Sequence, residues 1–328
     1  IGIDFSWYKT NATQQLINIP MNPTSGYSAM KVNAGDIENR GIEIMLNGRL
    51  IDNPDGFNWN MNINYSKNEN IVNELTDEVD TYALGGFDNV SILAVAGQPY
   101  GEIWGTKYRR VEDASSPYFN ELIVDSDGMP MATTERYRLG NQQPDALLGW
   151  TNTFSYKGLS LSFLIDGRFG GEIFSGTNLS MQRAGTAAVT VVDGQREDFI
   201  VDGVVDVTPE GATSPVYEVN SNAVSHQNYW NASASTNLGI TEANIYDATN
   251  IRLRTIQLNY NLPKKWTDAI AMQRAQVGVS ANNVWMIDSN LNGIDPESVF
   301  ATGTNAVGFE NASSPTSRSY YFNLSVSF

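Results

Sequence analysis

Few residues in this chain are equipped for chemistry. His226 is its single histidine, and cysteine is absent. Zinc centres draw on several His or Cys ligands, so His226 alone makes none and reads as a loop residue. Glycoside hydrolysis needs two carboxylates at a set separation. Glu197 beside Asp198, or Glu38 near Glu43, supply the groups, but nothing orders them, and they read as loop and lumen charges. Asp125-Ser-Asp-Gly128 resembles the first half of a calcium loop and lacks the acidic ligands that complete one. No catalytic, cofactor-binding or metal-ligating set is assigned, and the chain does not read as an enzyme.

The aromatic residues between the regular stretches offer a different chemistry. Tyr82, Phe87, Tyr118, Phe119, Tyr229, Trp230, Tyr246 and Phe309 lie among Asn, Asp and Gly. Tyr and Trp supply broad amphipathic contacts that stack on sugar rings or anchor a partner protein. The competing reading is that they pack the links against one another or mark the membrane edge.

What must position these links is a set of alternating strands. In Phe57–Ser66, Phe57, Trp59, Met61, Ile63 and Tyr65 alternate with Asn58, Asn60, Asn62, Asn64 and Ser66. Period-2 alternation marks a strand with one apolar and one polar side. So many neutral amides would make a poor sandwich core and suit a hydrated lumen, where Glu43 of the preceding strand also points. The last stretch repeats the pattern, with Phe322, Leu324, Val326 and Phe328 on one face and Asn323, Ser325 and Ser327 on the other.

Ten such strands are expected: about 1–10, 36–47, 57–66, 90–96, 103–111, 147–156, 159–169, 251–262, 275–286 and 320–328. Lys157-Gly158 is a two-residue hairpin signal, and Asn53-Pro-Asp-Gly56 a tight turn. Arg252 and Arg254 share parity with Ile256, Leu258 and Tyr260, which requires a bulge or arginines at headgroup level. Long links near 11–35 (with Pro20, Pro23 and Gly26), 68–89, 112–145, 170–249 and 287–318 alternate with short turns. An outer-membrane barrel with small periplasmic turns and large extracellular loops has this asymmetry. A secreted sandwich or solenoid, binding carbohydrate or protein at a surface, is the alternative.

Composition agrees. The 328 residues carry 20 Lys+Arg against 36 Asp+Glu, a formal charge of -16, which excludes a basic nucleic-acid surface. Charged residues are only 17%, so polarity rests on neutral hydrogen-bonding groups. No apolar run is long enough for a membrane helix, a test that barrel strands escape. Ile1–Trp7 is already strand-like, without the charged and apolar regions of a signal segment, so the chain is expected to begin inside a longer protein. Ten strands open at both edges would leave backbone groups unpaired in lipid. Partner strands are expected upstream, with Tyr320–Phe328 paired on one edge only within these residues.

Several words in the strands resemble the SusC/RagA family of TonB-dependent transporters. They are Asn33-Ala-Gly-Asp-Ile-Glu-Asn-Arg-Gly-Ile-Glu43, Phe57-Asn-Trp59 and Gly97-Gln-Pro-Tyr-Gly-Glu-Ile-Trp-Gly105. Leu139-Gly-Asn-Gln-Gln-Pro144 with Leu148-Gly-Trp150 and Phe154-Ser-Tyr156 follows, then Asp247–Arg254 through Asn261-Leu-Pro263. Ser280-Ala-Asn-Asn283, Gly293-Ile-Asp-Pro-Glu297 and Pro315–Ser319 complete the set, in order and over nearly the whole chain. The resemblance implies the C-terminal part of a 22-stranded outer-membrane barrel whose plug lies outside this sequence. It also implies TonB-energised import of a large nutrient, glycan or oligopeptide, under a SusD-like surface lipoprotein lid. Members often carry an Asp-rich stretch where this chain keeps only Asp125 and Asp127, which removes the support for a cation site there. A terminal aromatic like Phe328 resembles the assembly signal of outer-membrane proteins.

Overall fold

A computed structural model describes residues 1–20, 24, 26–27, 29–76, 79–87, 89–235, 239–269, 271–291 and 293–328, without the side chains of 17–20, 29 and 34. Pro23 and the parts of the expected links at 21–22, 25, 28, 77–78, 88, 236–238 and 292 lie outside the described residues.

Eight antiparallel strands form one wall, each beside its neighbour in sequence. In order they are Gly2–Pro20, Ala29–Ile51, Phe57–Glu74, Ala146–Tyr156, Leu159–Phe169, Asn250–Asn261, Arg274–Ser289 and Ser319–Ser327. The wall therefore has eight strands where about ten are expected. Val90–Val95 and Glu102–Gly105 do form strands, but they pair with each other and with Thr81–Phe87 and Tyr137–Asn141 in a separate four-stranded sheet. The third wall strand pairs directly with the fourth, Tyr65 opposite Leu148 and Phe57 opposite Tyr156. Alternation reveals that a segment is a strand; it does not say which strand is its neighbour.

Removing two strands keeps the parity of the connections. Residues 52–56, 157–158 and 262–273 join wall strands at one end; 75–145, 170–249 and 290–318 join them at the other. Each short turn has a local cause. Lys157 and Gly158 both take positive φ, 45° and 87°, the geometry that twists a two-residue hairpin with its strands. At 53–56, the Asn53 carbonyl accepts from Gly56 N at 3.1 Å and its side-chain Oδ1 from Asp55 N at 3.2 Å.

The first two strands run well past their expected ends, through most of the link placed at 11–35. They stay paired from Gly2/Asn47 to Pro20/Ala29, interrupted near Gln14 and Gly35, whose φ are 56° and 84°. The third likewise continues to Glu74, into the link placed at 68–89. Charged and amide residues end the apolar stripe at Lys9, Arg40 and Lys67, but strand pairing needs only backbone groups, so the ladder continues beyond it.

The eighth strand pairs with the seventh alone, Tyr320 opposite Ala281 and Val326 opposite Ala275. The first pairs with the second alone, so the wall is open at both edges among the described residues.

The hydrophobic core is elsewhere. Val90, Ile92, Ile103, Phe174, Leu179, Ala234, Ala306 and Phe309 pack together in the long connections, and four smaller clusters lie around them. Val72, on the projecting end of the third strand, is the one wall-strand residue at the centre of any such cluster. The long connections thus fold into a cap with its own core, and the wall has none among the described residues.

Candidate functional site

The wall's two faces differ in kind. On one, Ile3, Leu46, Ile63, Trp150 and Ile165 follow one another across five strands. Leu161, Leu258 and Val279 form another such row, meeting Phe322 in the last strand. These residues stay open to the surroundings even in the middle of the sheet: Trp150 is 37% exposed, Leu258 40% and Val279 51%. From Phe57 to Tyr65 this band covers roughly 20 Å of height for a strand tilted by about 40°. Just beyond it an ion belt begins, with Lys9 and Glu38 at 3.0 Å and Arg40 and Glu69 at 2.7 Å.

One polar residue interrupts the apolar face. Asn152 is buried under its neighbours and accepts from the Trp59 indole N–H at 3.0 Å. That bond satisfies a tryptophan that otherwise turns only carbon outward.

The opposite face carries the amides. Asn60, Thr153, Ser162, Gln257, Ser280 and Tyr321 form one cross-strand row. Thr153 and Ser162 share a hydrogen bond at 3.1 Å, and Asn62 donates to Asn47. Glu43 and Asn64 line a groove of about 530 Å³; Asn60 and Asn62 line another of about 460 Å³. Asn58 instead closes the turn, its side chain bonding Asn53 N and O at 2.7 and 3.0 Å. Higher up, Tyr8 lies across Gly41 and donates to Asn68 at 2.9 Å. A Cβ at Gly41 would meet the Tyr8 ring within 2.8 Å and the Lys67 carbonyl at 2.4 Å, so the crossing needs glycine.

The parity break at Arg252 and Arg254 is a bulge. The sixth strand's register with the seventh shifts between Ile251 and Arg252 and again between Leu253 and Thr255. Both arginines thereby join the polar face, opposite the Asp166 row. Arg254 bonds Asp166 at 2.6 Å and Glu297 at 2.6 and 2.9 Å; Arg252 grips Asp295 and reaches Thr316 at 3.2 Å. Residues 295–297 belong to the link after the seventh strand, so the pair ties the cap to the wall. Burial opposes ionisation of Asp295, but hydrogen bonds from Arg252, Thr316 and Glu297 outweigh it and hold its carboxyl well below the usual carboxylate range.

The Gly-Asn-x-x-Pro block is a junction as well. Gln142 donates to the Asn305 carbonyl and accepts from Val307 N, both at 2.9 Å, while its own carbonyl accepts from Arg168 at 2.7 Å. These residues hold the cap together.

The cap disperses the aromatics singled out in the sequence. Phe309 is buried in its core, stacked 6.5 Å from Phe87. Tyr82 packs on Val72 and Leu75, Tyr118 on Val111 and Ile123, and Tyr246 on Ile173 and Leu291. Tyr229 packs edge-on to Phe199 and to Trp230. Phe119 is exposed at a turn. Trp230 borders a cleft, together with His226, Arg183 and Arg196. The arginines carry no sequence signal: Arg183 is brought to Trp230 by the packing of the Gly176–Arg183 and His226–Ser233 helices, and Arg196 by its link, where it donates to the Gly185 carbonyl. Asp125 is occupied by its own turn, its Oδ1 accepting from Asp127 N and Met129 N at 2.9 Å each.

No family model matches the chain. Across its full length it is 26% identical to TonB-dependent receptor P3 of Formosa agariphila, and over 99% of it 27% identical to TonB-dependent receptor P26 of the same organism. It spans 32% of each relative, about a third of their length. It also resembles the solved RagAB peptide transporter, with TM-score 0.65 at 18% identity over 99% of this chain and 33% of that one. The open-open state of the RagAB peptide importer gives 0.67 at 17% identity, over 99% of this chain and 32% of that one. The structural likeness shows the fold, and the relatives are receptors rather than enzymes. Over its whole length the chain is thus similar to about a third of these TonB-dependent receptors, and its two-faced wall with one-sided long connections has the fold of the matching part of the RagAB structures.

Proposed function

We propose that the chain is the wall and cap of an outer-membrane importer that takes up a large nutrient, glycan or oligopeptide, with energy from TonB. The observation that carries this is the wall's polarity. An eight-stranded sheet with an uncovered apolar face and an amide-rich polar face has no hydrophobic core to hold it in water, and a bilayer provides the missing apolar contact. The apolar face then meets lipid, and Glu43, Asn60, Asn62 and Asn64 face the lumen. Further strands of the same barrel close the two open edges, since unpaired backbone in lipid costs several kcal/mol per group.

In this reading the long connections are extracellular, the short turns and Phe328 periplasmic, and a SusD-like lipoprotein sits on the cap. Among the aromatics proposed for lid or substrate contact, Trp230 and Phe119 keep that role. Tyr82, Phe87, Tyr118, Tyr229, Tyr246 and Phe309 support the cap from within. Proton-force-dependent uptake by cells carrying the whole protein, lost when TonB is deleted, is the expected result. Extraction of the protein by salt or alkali without detergent contradicts it and favours a surface protein that binds without transport.

A further inference from the structure

The cleft beside Trp230 has a composition at odds with the rest of the chain. It encloses about 380 Å³ and is lined by Arg183, Arg196, His226, Gln182, Gln227 and Trp230 among others, with no carboxylate. Yet acids outnumber bases by 36 to 20 in the chain, and Asp193, Glu197 and Asp198 flank Arg196 in sequence. Neither arginine forms an ion pair among the described residues. Arg196 only donates to the Gly185 carbonyl, so most of each guanidinium fork is uncommitted. His226 is 8% exposed, and its Nδ1 has no hydrogen-bond partner. Ser225, also in the lining, caps the eight-residue helix that begins at His226, accepting from Asn228 N at 3.2 Å, so the positive end of that helix adjoins the cleft. The Trp230 indole N–H is buried without a partner, which leaves carbon as the part of that ring it can offer.

We infer that this cleft binds a small carboxylate that also bears a ring, with Arg183 and Arg196 gripping the oxyanion and the Trp230 carbon face packing on the ring. Guanidinium forks match carboxylates in geometry, and the cleft's volume is that of a small-ligand pocket. The inference concerns the cap of this chain and does not require that the whole protein import anything.

Calorimetric titration of the protein with two matched pairs tests it: galacturonate against galactose, and N-acetylphenylalanine against its amide. In at least one pair the acid binds about tenfold tighter than its neutral partner, and Arg183→Gln or Arg196→Gln removes that preference. Arg183→Lys keeps part of it, and Trp230→Leu weakens the acid without restoring the neutral compound. The sugar or the aromatic pair responding identifies the ring. Equal binding of acid and neutral partner in both pairs, no saturable binding in either, or unchanged affinity in both Gln variants of unaltered circular dichroism overturns the inference.

Discussion

The wall and the cap are built on opposite rules from one chain. In the cap, Phe174, Phe309 and Ile92 are sealed from solvent by one another and by their neighbours. In the wall, Trp150, Leu258 and Val279 stay open, and the amides share the opposite face. The wall's apolar residues are matched to an external medium, while the cap's are matched to one another.

Substitutions can test that contrast, beginning with the most disruptive. Phe309→Ala leaves a void in the cap core and costs about 3–5 kcal/mol there. The expected readout is proteolysis of the long connections with the wall's heat-dependent gel shift intact. Loss of both together means that cap and wall do not fold as separate regions. Next is charge on the two faces of one strand. Ile63→Arg costs up to about 2–4 kcal/mol if the residue meets the bilayer interior, whereas Asn62→Arg is nearly neutral. Denaturant titration in lipid vesicles measures both, and equal costs contradict two distinct faces.

A smaller effect is expected at Gly41→Ala, about 1–3 kcal/mol, because the added methyl crowds the Lys67 carbonyl and displaces the Tyr8 ring. Tyr8→Ala beside it relieves part of that cost, and a double-mutant cycle showing no coupling removes the explanation.

The smallest effect concerns the joint between the regions. Because the Asp295 carboxyl titrates below its unfolded value, its contribution is fully present above about pH 4 and is lost as pH falls toward the folded-state value. Hydrogen exchange of residues 295–316 is expected to rise in that acid window before the wall responds. Asp295→Asn abolishes the pH dependence if the assignment is right; an unchanged acid profile contradicts it.

Much of the wall was legible because its signals are local. Alternation in Phe57–Ser66 marks the faces, Lys157-Gly158 marks the hairpin, and the misfit of Arg252 and Arg254 marks the bulge. Strand partners are not local. Val90–Val95 has the pattern of a wall strand, but its register is with Glu102–Gly105 and Thr81–Phe87. Strand ends are hidden for a related reason: a charged residue ends an apolar stripe without ending a ladder, as at Lys9 and Lys67. In the cap, an aromatic in a polar link looks the same whether it packs inward, as Phe309 does, or borders a cleft, as Trp230 does. Arg183 reaches Trp230 through helix packing and Arg196 through the fold of its link, and no spacing encodes either.

The most direct test introduces single thiols, with which no cysteine of these 328 residues competes. Cysteine replaces each residue from Phe57 to Tyr65 in turn, in the whole protein reconstituted in lipid vesicles. Each thiol carries a spin label probed by oxygen, which concentrates in lipid, and by a water-soluble nickel chelate. Strict alternation is expected: lipid access at 57, 59, 61, 63 and 65, with water access at 58, 60, 62 and 64. Uniform water access, or no alternation along the strand, would contradict a wall that turns one face to lipid and the other to water.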